Sequence, residues 1–353
     1  MKKTIIAMSG GVDSSVAAYL MKEKGHECLG VTMRFYEGDK EASCQSENNL
    51  KDVIRVTESM DMPYDVLDLR EEFHRNIIEK FIRVYENGGT PNPCVDCNRY
   101  MKFDGLLQLA EERGYDYIAT GHYARVTYNE ESGRYELKKG LDESKDQSYV
   151  LYNLTQEQLA HIVLPLGELH KDEVRKIAEK MSFANADKKD SQDICFVPDG
   201  DYAGFIEREK NVKYPEGDFI DMEGNVLGRH KGLIRYTLGQ RKGLGISAGK
   251  PIYVCGKDLE KGTVILGDEE ELFKDTIYAE DMNWISIPYL AEPMRLQACT
   301  RYHAKLQDAT AYPEEGGRVK VIFDKPQRAM TPGQALVLYD GDLVVGGGTI
   351  MST

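Results

Sequence analysis

Thr4-Ile5-Ile6-Ala7-Met8-Ser9-Gly10-Gly11-Val12-Asp13-Ser14-Ser15-Val16-Ala17-Ala18-Tyr19-Leu20-Met21 decides the fold. Its first four residues are a short apolar, β-prone run, and Val16 to Met21 follow an apolar helical pattern. Gly25 supplies a helix stop, and Cys28-Leu29-Gly30-Val31-Thr32-Met33 reads as a second strand. Strand, glycine turn, helix and strand make one βαβ unit with an anion site at the turn. The glycines let the backbone approach a ligand, and the next residues open a helix whose N–H groups and positive dipole end face it. Ser9, Ser14 and Ser15 add hydroxyl donors. The loop lacks the Gly-Lys-Ser/Thr of a Walker A motif and is not a G-x-G-x-x-G dinucleotide fingerprint.

The same alternation continues to about residue 203. Asn49–Met60, Glu71–Tyr85, Phe103–Arg113 and Lys171–Met181 carry helical apolar spacing, and Tyr64–Leu69 and Tyr115–Thr120 read as strands. Arg125–Leu141 reads as a hairpin at the domain edge. Repeated βα order predicts a doubly wound parallel sheet covered by helices, with ligands beyond the carboxyl ends of the strands. Past residue 204 helical periodicity fades, and short β-prone runs alternate with glycine turns such as Glu223-Gly224-Asn225 and Glu315-Gly316-Gly317. The reading is therefore an α/β domain over 1–203, a central β-rich module over 204–275 and a C-terminal β-barrel-like domain over 276–353.

Two or three domains suit a chain of 353 residues. Apolar content of 41% and charged content of 29% are ordinary for a folded soluble protein, and no apolar run approaches the ~20 residues of a membrane helix. Met1-Lys2-Lys3 leads straight into the first strand without a secretory apolar core, so a cytoplasmic protein with no membrane partner is expected. Seven cysteines, an odd number, fit a reducing compartment better than a disulfide framework. A net charge of −14 argues against a general polyanion binder, but a local basic surface can override it. Arg229, His230, Lys231, Arg235, Arg241 and Lys242 form such a run.

Two further stretches carry chemistry. Thr90-Pro91-Asn92-Pro93-Cys94-Val95-Asp96-Cys97-Asn98 places a Cys-x-x-Cys on what reads as a proline-stiffened loop. Half a zinc site and a thioredoxin-type pair are the simplest alternatives, but no second ligand pair lies nearby. Asp190-Ser191-Gln192-Asp193-Ile194-Cys195-Phe196 puts a cysteine between apolar residues, which is commonly a core position, behind a polar prefix.

The glycine–serine loop resembles the pyrophosphate loop of adenylate-forming ATP enzymes, among them argininosuccinate, GMP and NAD synthetases and tRNA thiolases. Taken with the cysteine motifs, the chain resembles the tRNA-specific 2-thiouridylase family over nearly its whole length. Further matching stretches are Ala119-Thr120-Gly121-His122-Tyr123, Lys145-Asp146-Gln147-Ser148, Tyr236 to Gly245, Arg301-Tyr302 and Thr331-Pro332-Gly333-Gln334. The resemblance implies a PP-loop ATP pyrophosphatase domain that adenylates the C2 oxygen of wobble uridine 34 and replaces it by sulfur, releasing AMP and pyrophosphate. It implies ATP contacts at Ala7, Met8, Ser9, Gly10, Gly11, Val12, Asp13, Ser14, Met33 and Gly121, with Asp13 beside Mg²⁺. It implies Cys195 as the persulfide carrier and Cys97 as the nucleophile that ends in a disulfide with it. It implies tRNA contacts at Asn92, Pro93, Cys94, His122, Lys145, Asp146, Gln147, Arg301, Tyr302 and Gln334. The implied partners are the Glu, Gln and Lys tRNAs and a cysteine desulfurase or sulfur-relay protein. Many family members carry Asp where this chain has Cys94, so an acid–base role does not transfer to it. The same substitution opens a second mechanism, a [4Fe–4S] cluster on Cys94, Cys97 and Cys195. An amide- or amine-forming synthetase is the rival class; it would leave the cysteines without a role.

Overall fold

The computed structural model describes residues 1–36, 47–186, 188, 194–247 and 249–352. Cys44 and the stretch Asp190-Ser191-Gln192-Asp193 lie outside the described residues.

The first domain is built on a five-stranded parallel sheet in the order β3-β2-β1-β4-β7. Its strands are β1 (Lys3–Ala7), β2 (Glu27–Arg34), β3 (Tyr64–Asp68), β4 (Tyr117–Ala119) and β7 (Ile162–Val163). Central β1 pairs with β2 through Ala7↔Val31 and with β4 through Ile6↔Ala119. Both faces of β1 are covered, so Ile5 and Ile6 have no exposure. That two-sided burial is why the strand is a continuous apolar run rather than an alternating one. The chain leaves β1 toward β2 on one side, and β4 flanks it on the other. The crevice beyond the end of β1 is thus a topological switch point, and the glycine loop occupies it.

Two long helical runs contain π segments. Arg70–Phe73 and Glu79–Glu86 are α-helical around a π segment at His74–Ile78; Pro93–Asp96 and Asp104–Arg113 flank one at Cys97–Phe103. Cys94 and Cys97 therefore lie on a helix, not on the expected loop. Pro93 sits in its first turn, where a missing N–H costs nothing, so the proline starts this helix instead of preventing it.

The central module is a four-stranded sheet, β10-β11-β8-β9, formed by β8 (Gly217–Ile220), β9 (Val226–His230), β10 (Tyr253–Asp258) and β11 (Thr263–Gly267). It encloses Phe219, Tyr236, Val254, Val264 and Leu266. A helix at Tyr202–Lys210 precedes it, with the Asp201 carboxylate accepting from Gly204 N–H at 2.9 Å. This helix went unread in the sequence because only a single short run of apolar residues, at Ala203, Phe205 and Ile206, marks it.

β12 (Phe273–Trp284), β13 (Met294–Cys299), β14 (Gln307–Pro313), β15 (Val319–Arg328), β16 (Ala335–Asp340) and β17 (Leu343–Ile350) follow as antiparallel strands. Pairing of β12 with β17 closes them into a six-stranded barrel, which removes exposed edges. The hairpin β5 (Ala124–Asn129) and β6 (Arg134–Lys139) belongs to the first domain in sequence but adds to the barrel sheet through Lys138↔Leu343. Asn283 Nδ2 donates to the carbonyls of Tyr152 (2.7 Å) and Leu154 (2.9 Å), and Arg134 donates to those of Trp284 and Ile285. Barrel and first domain are thereby docked by side chains that satisfy backbone carbonyls.

Gly347 shows how close that docking is: a Cβ there would lie 2.6 Å from both Leu336 O and the Tyr152 ring. Gly347→Val should therefore destabilise the protein by about 1–3 kcal/mol through overpacking. A thermal midpoint equal to wild type would show that the contact yields without cost.

Candidate active site

The site begins where β1 ends. Met8 is buried, its N–H donates to Val31 O (2.8 Å), and its carbonyl accepts from Thr32 Oγ1 (2.7 Å). Ala7 is half-buried and Ser9 is exposed. Gly10 has φ +77°, and a Cβ on it would stand 2.7 Å from Asn49 O, so glycine is required twice over. Gly11 caps the helix α1 (Val12–Glu23) without a side chain. Val12 is buried beneath the loop. Ser14 Oγ donates to Gly11 O at 2.9 Å, and Ser15 Oγ donates to the same carbonyl at 3.2 Å. Ser14 Oγ also accepts from Ser9 N–H at 3.2 Å. Ser9 Oγ donates to Ser14 Oγ (3.3 Å) and accepts from Gly11 N–H (3.4 Å), so the three hydroxyls staple the loop from within.

Asp13 is engaged. Lys171 Nζ lies 2.8 Å from each of its oxygens, and Tyr123 Oη donates to Oδ1 at 2.8 Å. Lys171 is itself buried, its exposure only 7%. A carboxylate gripped by an ammonium and a phenol does not present the open oxygen pair that a Mg²⁺ ligand needs, so no step is routed through an Asp13-bound metal. Gly121 follows β4, and a Cβ on it would be 2.8 Å from Asp13 C and Ser14 N. Met33 is buried near the end of β2, the strand beside β1.

Five residues around the loop were not read from the sequence: Tyr123, Asp142, Lys171, Asn185 and Lys188. Asn185 Nδ2 donates to Gly10 O (3.1 Å) and Ser15 Oγ (3.0 Å). Lys188 Nζ donates to Gly10 O (3.2 Å) and Asp52 (2.9 Å). Asp142 accepts from Lys171 N–H at 2.9 Å, and its carboxyl is held below the usual range by Ser144 and then by that N–H. Lys171 opens the helix Lys171–Lys180, and Tyr123 ends a matching stretch, but neither position announces its partner in the loop.

Contacts lead from the loop to the cysteines. The His122 ring lies 5.9 Å from that of Phe103, and its Nδ1 is 2.7 Å from Thr120 Oγ1. The imidazole keeps slight solvent access, yet burial, with Lys102 second, pulls its pKa down to about 3 and keeps it neutral. Lys102 Nζ donates to Asn98 Oδ1 at 2.9 Å, and Asn98 Nδ2 donates to Val150 O at 2.9 Å. One apolar cluster includes Met33, Phe35, Phe73, Phe81, Val95, Cys97, Met101, Phe103 and Phe196, with Ala7 and Cys195 packed against it. Phe196 meets Phe73 and Phe81 edge-on at 5.6 and 5.2 Å, anchoring the residue beside Cys195. Cys97 is buried, Cys195 half-buried and Cys94 exposed. Among the described residues no three Cys, His, Asp or Glu side chains gather so as to hold a metal ion. Cys94, Cys97 and Cys195 thus do not stand as a preassembled ligand trio, and no step is routed through a [4Fe–4S] cluster.

The residues expected to meet tRNA fall in two places near Cys94. Burial raises Tyr302 to about 12, with Asp146 and then Cys94 adding repulsion, and its ring lies 5.7 Å from that of Tyr149. Asp146 accepts from Gly140 N–H (2.9 Å) and Ser148 Oγ (2.7 Å), Gln147 Oε1 accepts from Tyr123 N–H (3.0 Å), and Lys145 N–H donates to Asp142 O. Arg301 donates to the carbonyls of Arg328 and Ala329. Gln334 lies beside half-buried Asn92 and buried Pro93, bonded to the loop before them. Much of this set is thus internally bonded. The basic loop is separate: Arg241 and Lys250 line an open concavity of the central module with Gly243, Leu244, Gly245 and Ile246.

Known proteins can be compared with this site. Residues 2–199 match a family model described as the tRNA methyl transferase HUP domain, 203–268 its PRC-barrel domain, and 274–350 an aminomethyltransferase beta-barrel domain. The chain is similar to the tRNA-specific 2-thiouridylase MnmA of Clostridioides difficile (strain 630), 50% identical over 99% of this chain and 98% of that one. It is 50% identical to the protein of the same name from Clostridium acetobutylicum, over 99% of each chain. With tRNA-specific 2-thiouridylase MnmA 1 of Thermoanaerobacter sp. (strain X514) it shares 51% identity over 99% of this chain and 97% of that one. The models' descriptions mention methyl transfer, whereas these full-length relatives are named for thiolation.

Two outcomes are expected at this site. Lys171→Met should lower AMP release at saturating ATP by about 10- to 100-fold, the scale of losing one buried charged donor; undiminished release would remove Lys171 from the loop's function. The neutral His122 ring stabilises the fold fully above the unfolded value of about 6.5, and that contribution is lost as pH falls toward the folded value of about 3. Its imidazole NMR shifts should accordingly stay at the neutral position from about pH 8 to pH 5, where an ordinary histidine titrates.

Proposed function

The chain belongs to the tRNA-specific 2-thiouridylase family, and on that footing we propose that it replaces the C2 oxygen of wobble uridine 34 in the Glu, Gln and Lys tRNAs by sulfur. An amide oxygen is a poor leaving group. Adenylation by ATP turns it into AMP, with pyrophosphate leaving toward the backbone N–H groups of the Ser9–Ser14 loop and the N-terminus of α1. Mg²⁺, when bound with ATP, would neutralise phosphate charge. Lys171 would act on this loop by orienting Asp13.

Sulfur arrives on Cys195 as a persulfide, from a cysteine desulfurase or a relay protein. Cys97 Sγ, as thiolate, attacks Cys195 Sγ; a Cys97–Cys195 disulfide forms, the persulfide S–S bond breaks, and the terminal sulfur leaves as hydrosulfide. Hydrosulfide adds to C2 of the adenylated uridine and AMP departs. The two electrons carried away by the sulfur are balanced by the disulfide, which a reductant must reopen before the next cycle. Neutral His122, between the loop and the helix of Cys97, would offer a hydrogen bond without adding charge near the adenylate.

The observation that carries this reading is that Cys97 and Cys195 pack with the same apolar cluster, which also includes Met33 of β2. Sharing one core would let the cysteine chemistry meet the adenylated base on the same side of the sheet. Cys97 is buried and Cys195 half-buried, so hydrosulfide released between them would be partly shielded from water. A synthetase would have no use for that pairing. The cluster mechanism finds no support in the arrangement of Cys94.

Cys97→Ser and Cys195→Ser should each abolish 2-thiouridine formation from ATP, tRNA and a persulfide donor while leaving ATP binding intact. Nucleoside analysis of the tRNA is the readout, and full thiolation by either variant would refute the roles assigned.

A further inference from the structure

The entry to the cysteine helix is held from outside its own domain. Thr90 N–H donates to Pro332 O at 2.9 Å. Gln334 Nε2 donates to Thr90 O at 2.8 Å and to Pro91 O at 3.2 Å. One nitrogen with two protons thus serves two consecutive carbonyls, the last before Asn92, its full donor capacity. The backbones are in close contact as well. A Cβ on Gly89 would lie 2.9 Å from Pro332 O, and one on Gly333 would lie 2.7 Å from Val84 Cγ1.

The gripping turn is itself braced within the barrel. Arg301 Nη2 donates to Arg328 O (2.5 Å) and Ala329 O (3.0 Å), and Thr331 Oγ1 donates to Ala329 O (3.0 Å). On the far side of the grip, Asn92 is the N-cap of Pro93–Asp96, and no side-chain hydrogen bond caps that end. Thr90 and Pro91 fix where this helix starts, and Cys97 follows within two turns at the change from α to π winding.

We infer that Gln334 is a positioning residue for sulfur transfer: through its amide the C-terminal barrel sets the start of the helix carrying Cys94 and Cys97, and with it the reach of Cys97 toward Cys195. This role differs from the tRNA contact that the family resemblance implies, because the amide nitrogen already serves the protein's own carbonyls. The inference rests on the thiolation reading for its consequence, not for its geometry. Displacement of a reacting group by about 1 Å can cost on the order of 100-fold in rate, so two hydrogen bonds at a helix entry suffice to matter.

The test compares Gln334→Glu, which keeps the shape but turns acceptors toward both carbonyls, with Gln334→Met, which removes the donors without charge, and Gln334→Lys, which retains donors. Three quantities are measured on the full chain: kcat for 2-thiouridine at saturating tRNA, the tRNA Kd, and the iodoacetamide alkylation rate of reduced Cys97 without ATP or tRNA, with the site resolved by fragmentation mass spectrometry. We expect Gln334→Glu and Gln334→Met to lower kcat about 10- to 100-fold, to leave Kd within about twofold, and to change the Cys97 alkylation rate at least about threefold. Gln334→Lys should recover most of both losses. A raised Kd with unchanged kcat and alkylation would make Gln334 a tRNA contact only and overturn the inference. Should the wild-type protein make no 2-thiouridine, the alkylation shift still reports the positioning, so failure of the reaction and failure of the strut remain distinguishable. If Gln334→Glu does not fold, Gln334→Met carries the comparison.

Discussion

The ion pair between Asp13 and Lys171 is the interaction on which the rest of the site depends. Both carboxylate oxygens lie 2.8 Å from one ammonium that is almost wholly excluded from water. Desolvating two such charges is costly, and their attraction repays the cost only with good geometry and further hydrogen bonds. Tyr123 supplies one such bond to Asp13. Breaking one side would leave a buried charge uncompensated, so the pair serves better as a locator than as a source of stability. It pins the first turn of α1 to the helix Lys171–Lys180, from the far end of the domain's sequence.

Two chains of contact run outward from this pair. Tyr123 binds Asp13 by its hydroxyl and Gln147 by its N–H, while Lys171 binds Asp13 by its ammonium and Asp142 by its N–H. The turn 142–147 is therefore tied to the pyrophosphate loop at two points. That turn also reaches Tyr302 of the barrel, whose ionisation is opposed by Asp146 and Cys94. Charged groups along the route, Asp13, Lys171 and Asp142, are each held by a hydrogen bond or an ion pair, so the route is ordered by partners rather than by packing alone.

Much of the architecture was legible because local signals agreed. The apolar run Ile5-Ile6, the glycines and the following helix pattern imply one element order, and the parallel sheet follows from it. The loop residues and the two cysteine segments were visible for the same reason, since their residue types are conspicuous. What stayed hidden depends on contacts between distant segments. Lys171 lies 158 positions from Asp13, and no periodicity announces that pairing. The cysteine helix was misread as a loop because Pro91 and Pro93 look like breakers, whereas Pro93 takes the one helical position that suits it. The Asp13 carboxylate's partner Lys171 was not anticipated, because that cation is remote in sequence.

The misreading at Cys94 has a chemical consequence. On a helix, Cys94 and Cys97 are three residues apart; Cys94 is exposed, whereas Cys97 is buried in the core against which Cys195 packs. The helix thus assigns the two cysteines different environments before any chemistry begins. The π segment that starts at Cys97 widens the helix at that residue, a distortion often found at functional sites. The persulfide route proposed above involves Cys97 and Cys195, and these two pack with the same apolar cluster while Cys94 faces solvent.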